Sequence, residues 1–120
     1  MFPIVQDGKW GYIDVKGGVV IKPQFRMVFE FSEHLAPVVI ETRFGYVNER
    51  GIVAIKPQYD EASRFSEGLA AVSRDHPWGY VDRTGQAIIA FQFVEARDFS
   101  EGLAAVRIDS HSADSESSWG

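Results

Sequence analysis

The sequence predicts an all-β protein of tandem 34-residue repeats, each a three-stranded antiparallel unit, stacked as an open array. Two recurring segments and one pattern support this prediction. A Phe-Ser-Glu segment begins at Phe31, Phe65 and Phe99, and an aromatic-Gly-Tyr segment begins at Trp10, Phe44 and Trp78. Both segments repeat every 34 residues. The apolar stretches between them are short and rich in β-branched and aromatic residues, which is typical of strands.

Helical repeats can have the same period, but the glycines argue against helices here. In the third unit, Gly79, Gly85 and Gly102 would fall inside helices, where each glycine costs about 1 kcal/mol. A closed, propeller-like arrangement is the alternative architecture. Because propellers usually have four or more blades, the small number of units favours the open array.

The strands are clearest in the third unit. We expect the first strand over 69–73, the second over 78–82 and the third over 86–90. Arg83-Thr84-Gly85 is predicted to be the tight hairpin turn between the last two, since glycine adopts positive φ without strain. The following segment, FQFVEARDFSEG, is expected to lead into the next unit and to contain one helical turn over 95–98.

The repeats divide the chain into units 1–34, 35–68 and 69–102, and a partial fourth unit begins at 103. Residues 1–109 are therefore predicted to form a single repeat domain. Residues 110–120 are predicted to be a polar tail of low complexity that ends in a truncated fourth motif, Trp119-Gly120.

Composition narrows the classes of function. The 120-residue chain has a formal net charge of −5 and no cysteine, which disfavours nucleic acid and excludes disulfides and thiolate metal sites. Lys22 and Lys56 align with Ala90, so no basic column runs through all units. No apolar run is long enough for a membrane-spanning helix, and the first residues do not resemble a signal peptide. We expect a cytoplasmic protein that binds neither nucleic acid nor membrane.

Two aromatic columns recur with the repeat. We predict that both belong to the repeat core, because stacked repeats bury a continuous core between neighbours. The alternative for the first column is a binding platform for a sugar or a quaternary amine. The second column is expected to be half-buried, with each hydroxyl bonded to a polar partner. The first column is Trp10, Phe44 and Trp78, and the second is Tyr12, Tyr46 and Tyr80.

Carboxylates also recur once per repeat, at Glu33, Glu67 and Glu101. They could form an acidic strip for a basic partner, to which Asp60, Glu61, Glu95 and Asp98 would add. The alternative is a local role in a turn, in which the neighbouring serine bonds nearby backbone N–H groups.

These residues resemble the WG-repeat family of bacterial proteins. The matching pattern is KWGYIDVKGGVVIKPQF, then an acidic stretch, then FSEGLAAV. Phe44 in place of Trp and His34 in place of Gly depart from it. The resemblance implies an all-β repeat architecture and the binding of other macromolecules, and it brings no catalytic residues.

No nucleophile motif and no metal-ligand spacing is recognisable, and His34, His76 and His111 occupy non-equivalent positions. We therefore expect no enzyme, no catalytic residue, no cofactor and no bound metal. The leading hypothesis is a non-catalytic module for protein–protein interaction with a basic protein or peptide. The alternative is a carbohydrate or cell-wall ligand bound through Trp10 and Trp78. Exposed end strands also predict self-association.

Overall fold

The computed structural model describes residues 1–108 and is all-β, with no helix in that range. Residues 1–108 form three antiparallel sheets, and consecutive sheets pack on each other through shared apolar clusters. None of these sheets closes into a barrel within residues 1–108. The predicted fold class, an open array of antiparallel units, is confirmed.

The strands are β1 (Phe2–Gln6), β2 (Lys9–Ile13), β3 (Val19–Phe25), β4 (Met27–Val28), β5 (Leu35–Ile40), β6 (Arg43–Asn48), β7 (Val53–Tyr59), β8 (Glu61–Ala62), β9 (Ala70–Ser73), β10 (Trp78–Val81), β11 (Ala87–Ala96) and β12 (Val106–Ile108). The first sheet has the order β1-β2-β3, the second β4-β5-β6-β7 and the third β12-β11-β10-β9-β8. The two-residue strands β4 and β8 leave the end of one unit and pair with the first strand of the next. Successive units are therefore joined by backbone hydrogen bonds as well as by packing.

The helical turn expected over 95–98 is wrong. Instead, β11 continues to Ala96 and pairs with β12, with Ala96 opposite Val106. Glu95 and Ala96 thus do what Glu61 and Ala62 of β8 do one repeat earlier, namely add to the first strand of the following unit. The predicted tail over 110–120, with Trp119-Gly120, lies outside the described residues.

A glycine inside each aromatic-Gly-Tyr strand lets two strands approach closely. In the third unit, Trp78 pairs with Phe93 and Tyr80 with Ile89, so the register shifts by a β-bulge between them. A Cβ atom on Gly79 would lie 2.8 Å from the carbonyl oxygen of Ile89, too close for any side chain. The glycine between the two rings is therefore required by the bulge.

An aspartate fixes the hairpin turn that follows. In the third unit, Oδ1 of Asp82 accepts hydrogen bonds from the backbone N–H of Thr84 and of Gln86, and from the Thr84 hydroxyl. These bonds, the Thr84 hydroxyl first, lower the pKa of the Asp82 carboxyl. Asp14 and Asn48 accept the equivalent backbone bonds in the other two turns. The side chain thus holds the turn in which Gly85 adopts φ of 89°.

The core lies between units rather than within them. One buried cluster joins the first unit to the second through Tyr12, Ile21, Phe25, Ala36, Val38 and Val47. The other joins the second unit to the third and includes Tyr46, Ile55, Tyr59, Ala70, Val72 and Val81. In each cluster an aromatic and isoleucine face meets an alanine and valine face, so every unit needs a neighbour to bury its apolar side chains.

Candidate functional site

The tyrosine column forms the centre of the core. Tyr12, Tyr46 and Tyr80 are each at most 1% exposed, so the structure buries them more completely than the sequence indicated. Their hydroxyls have the polar partners that were expected, since those of Tyr46 and Tyr80 donate to the carbonyl oxygens of Ser63 and Arg97 at 2.6 Å. Burial raises the pKa of all three hydroxyls above its ordinary value. These rings hold the fold and are closed to a ligand.

The other column, Trp10, Phe44 and Trp78, is half-buried. Phe44 packs on the margin of the second cluster and stacks on Phe29, with 5.6 Å between ring centroids. The rings of this column therefore lie at the edge of the interfaces between units, where part of each ring stays accessible. Among these three, Trp78 lines a groove.

The recurring glutamates join one repeat to the next. Three turns, 32–35, 66–69 and 100–103, are here called the FSEG turns; each is closed by a bridge between its serine and its leucine. The Glu33 carboxylate accepts hydrogen bonds from the backbone N–H of Glu67 at 2.6 Å and of Gly68 at 2.9 Å. The Glu67 carboxylate accepts one from the N–H of Gly102 at 2.7 Å. Each carboxylate thus bonds the following FSEG turn.

The serines of these turns form a second ladder that runs in the same direction. The Ser32 hydroxyl donates to the carbonyl oxygen of Phe65 at 2.7 Å, and the Ser66 hydroxyl donates to that of Phe99 at 2.6 Å. The glutamate bonds and the serine bonds thus form two ladders along the array. Neither set of bonds is local to one turn, because every bond joins residues about one repeat apart. Glu33 and Glu67 are therefore occupied inside the array, and within residues 1–108 only the Glu101 carboxylate of the three is unpaired.

Left-handed backbone shapes each turn to receive the carboxylate. Glu67 and Gly68 have φ of 55° and 81°, and their two N–H groups converge on the same glutamate. His34 takes the glycine position of the first turn with φ of 71°, as the residue pattern allowed. Its Nδ1 lies 3.3 Å from Oε1 of Glu49.

A groove of about 800 Å³ runs beside Trp78. Its lining includes three carboxylates, Glu61, Glu95 and Asp98, and the other residues from 94 to 97. Asp98 pairs with Arg64 at 3.1 Å and Glu95 with Arg107 at 3.1 Å, whereas Glu61 has no ion-pair partner in the part of the chain described. Of the residues predicted from sequence, the structure thus brings Glu61, Glu95 and Asp98 together with Trp78.

Asp60 lies outside this groove. It pairs with Arg43 at 2.8 Å and accepts a hydrogen bond from the backbone N–H of Asp75. No group of three or more His, Asp or Glu side chains in residues 1–108 is arranged to hold a metal ion. Residues 1–108 also contain no helix that could cross a membrane.

Comparison with known proteins agrees with the repeats seen in the structure. The family described as WG containing repeat matches residues 10–41, 44–75 and 78–110, which together make up most of the chain. No curated protein and no solved structure was found to match. With three consecutive matches and three units of the same length, the chain belongs to the WG containing repeat family.

Proposed function

We propose that this protein is a non-catalytic repeat module that binds a basic segment of another protein in the Trp78 groove. The observation that carries the proposal is the placement of Glu61, Glu95 and Asp98 around one half-exposed indole ring. This arrangement suits a lysine or arginine side chain, because its positive charge can pair with the carboxylates while the side chain lies over the indole ring.

The ion pairs in the groove allow a basic ligand to replace the arginines that now pair with the groove carboxylates. Glu61 is unpaired within residues 1–108, while Glu95 and Asp98 hold arginines whose side chains are 36% and 64% exposed. Exposed ion pairs contribute only about 0–1 kcal/mol, so an incoming cation can replace either arginine at little cost. The net charge of −5 would speed the encounter with a basic partner.

The lining also supports a binding role rather than a catalytic one. It contains carboxylates, one indole and one arginine, but no serine, histidine, lysine or tyrosine side chain that could act as nucleophile or general base beside them. The tyrosines with raised pKa values are bonded in the core and do not line the groove.

Fluorescence titration with labelled octa-arginine, and with octa-glutamine as the neutral probe, tests the proposal. We expect octa-arginine alone to bind, with a Kd that rises with salt because the contact is between charges. Trp78→Phe and Glu61→Gln should each weaken binding. Trp10→Phe is the matched control, since the first unit has Met27 where the third has Glu95. Equal Kd values for Trp78→Phe and Trp10→Phe would refute the groove as the site.

A carbohydrate is the second candidate, favoured by the accessible Trp78 ring flanked by carboxylates that can accept hydrogen bonds from sugar hydroxyls. The hexamer of N-acetylglucosamine is the probe. If it is the ligand, Trp78→Phe abolishes its binding while salt leaves the Kd unchanged, because the sugar is neutral. Octa-arginine would then show no Trp78-dependent binding.

A further inference from the structure

The first and the third unit carry complementary halves of the interface that joins the repeats. The tail face is defined here as Ser100, Glu101 and Ile89 of the third unit. The head face is defined as the turn of Phe31, Glu33 and His34 in the first unit, together with Gly17. Both faces repeat positions that are bonded at the two internal interfaces of the same chain.

The carboxylate ladder supplies the first complementary pair. Inside the chain, a glutamate accepts from the N–H groups of the next turn at 2.6–2.9 Å. At the tail face, the Glu101 carboxylate has no partner among residues 1–108. At the head face, the N–H groups of Glu33 and His34 donate to nothing within the same residues, although their φ values of 54° and 71° match those of the occupied turn.

The serine ladder supplies the second pair. Ser32 and Ser66 donate to the carbonyl oxygens of Phe65 and Phe99. The equivalent hydroxyl of Ser100 donates to no group in the described residues. The Phe31 carbonyl oxygen, which is the equivalent acceptor, receives no hydrogen bond within them either.

An apolar contact supplies the third pair. Ile21 lies against Gly51 of the next unit, and a Cβ atom added to Gly51 would be 2.8 Å from Cγ2 of Ile21. Ile55 lies against Gly85 in the same way, with 3.2 Å between an added Cβ atom and Cγ2 of Ile55. Ile89 is the third isoleucine of this column and is half-exposed. Gly17 is the first glycine of the column and has nothing within 4 Å of a Cβ position.

From these three pairs we infer that two copies of the chain join head to tail, with the first unit of one copy taking the place of a fourth unit on the other. The Glu101 carboxylate would accept from the Glu33 and His34 N–H groups of the second copy. Because the two faces differ, the contact is heterologous, and further copies can add in the same direction. This inference is independent of the Trp78 groove.

When two copies join in this register, the β12 strand must unpair from β11. The incoming β1 and the resident β12 occupy equivalent positions beside Glu95 and Ala96. β12 pairs through three residues, whereas β1 is held on β2 by five. We therefore expect β12 to be displaced, which makes association weaker than the internal interfaces.

One pair of charges opposes the contact and offers a gain-of-function test. Inside the chain, Arg64 pairs with Asp98 of the next repeat at 3.1 Å. At the joined ends, Asp98 would face Glu30, the equivalent of Arg64 in the first unit. Glu30→Gln removes this repulsion and should tighten association.

Sedimentation velocity over a concentration series tests the proposal on the full 120-residue chain. The wild type should form dimers and larger species as concentration rises. Glu101→Gln should raise the dissociation constant about tenfold or more, the value of one charge-assisted hydrogen bond. Glu41→Gln is the control, since Glu41 is also exposed and left-handed (φ 59°) but lies on neither face. Circular dichroism confirms that each variant is folded.

A mixing experiment separates head-to-tail joining from a two-fold dimer. A Glu101→Gln chain keeps an intact head face, so it adds to wild-type assemblies and stops their growth, which shortens them. A chain that is monomeric at all concentrations would overturn the inference. Equal effects of Glu101→Gln and Glu41→Gln, or no shortening on mixing, would do so as well.

Discussion

The Glu67 carboxylate accepts a hydrogen bond of 2.7 Å from the backbone N–H of Gly102, which lies 35 positions further along the chain. Together with the hydrogen bonds that Glu33 accepts from the 66–69 turn, this bond makes a column of acidic residues a connection between repeats. Charged side chains that a sequence presents once per repeat can therefore be structural acceptors as well as surface charges.

The glutamate ladder predicts a difference between identical substitutions. Glu33→Ala and Glu67→Ala should each lower the free energy of unfolding by about 1–3 kcal/mol, because backbone N–H groups lose a charged acceptor. Glu101→Ala, measured at concentrations low enough for the chain to be monomeric, is the control, since Glu101 has the same backbone conformation but no acceptor role within residues 1–108. Urea unfolding followed by circular dichroism measures all three. Equal midpoints would contradict a stabilising ladder.

The buried tyrosines allow a second matched comparison. Tyr46→Phe removes a hydroxyl that donates to the Ser63 carbonyl at 2.6 Å, and should cost about 1–2 kcal/mol. Tyr59→Phe should cost less, because the buried Tyr59 hydroxyl has no hydrogen bond of normal geometry in the described part of the chain and the Arg74 guanidinium is the polar group beside it. Denaturant midpoints with unchanged m-values would establish the difference. The reverse order would contradict it.

The close approach at Gly79 predicts intolerance of even one methyl group. Gly79→Ala would place Cβ 2.8 Å from the Ile89 carbonyl oxygen and 3.0 Å from Cα of Phe91. Strands would have to separate, so we expect a loss of about 3 kcal/mol or more. For Gly18→Ala, the nearest atoms belong to the Asp14 side chain, at 3.2 Å and beyond, and that side chain need move only slightly, so the variant should lose much less stability. Thermal unfolding compares the two directly.

Alkaline pH should unfold the protein cooperatively. The chain has four tyrosines, and burial raises the pKa of all four. Since unfolded tyrosine ionises near pH 10, the unfolded state loses protons first. Stability is therefore full below about pH 10 and falls as pH rises above it. Absorbance at tyrosinate wavelengths should rise together with the loss of circular dichroism; ionisation that precedes unfolding would contradict the prediction.

The period of the sequence predicted the strands well because each unit meets the same surroundings. Strands β9 and β10 agree with the predicted bounds to within one residue. The wrong helical turn arose at Glu95 and Ala96, whose conformation depends on pairing with β12, a strand of the following unit. Local composition carries no information about that contact.

The site was predictable in its residue types but not in its contacts. A glutamate that accepts hydrogen bonds from its own turn and one that accepts them from the next turn would recur with the same period of 34 residues. The period alone therefore cannot tell which contact is made. The sequence also could not predict that Tyr80 is more buried than Trp78. A β-bulge between the two residues, rather than the alternation of side chains along a strand, decides which ring reaches the core. The groove beside Trp78 depends on residues of two units, Glu61 and Glu95, which only the fold brings together.

The position of the core between units has a consequence for the smallest piece that can fold. Ala36 and Val38 complete the cluster that Tyr12 and Ile21 begin, so a peptide of residues 1–34 alone would lack the side chains that cover Tyr12 and Ile21. Two consecutive units enclose one complete cluster, and cooperativity then grows with every unit added. The elementary folding unit of this chain is therefore a pair of repeats.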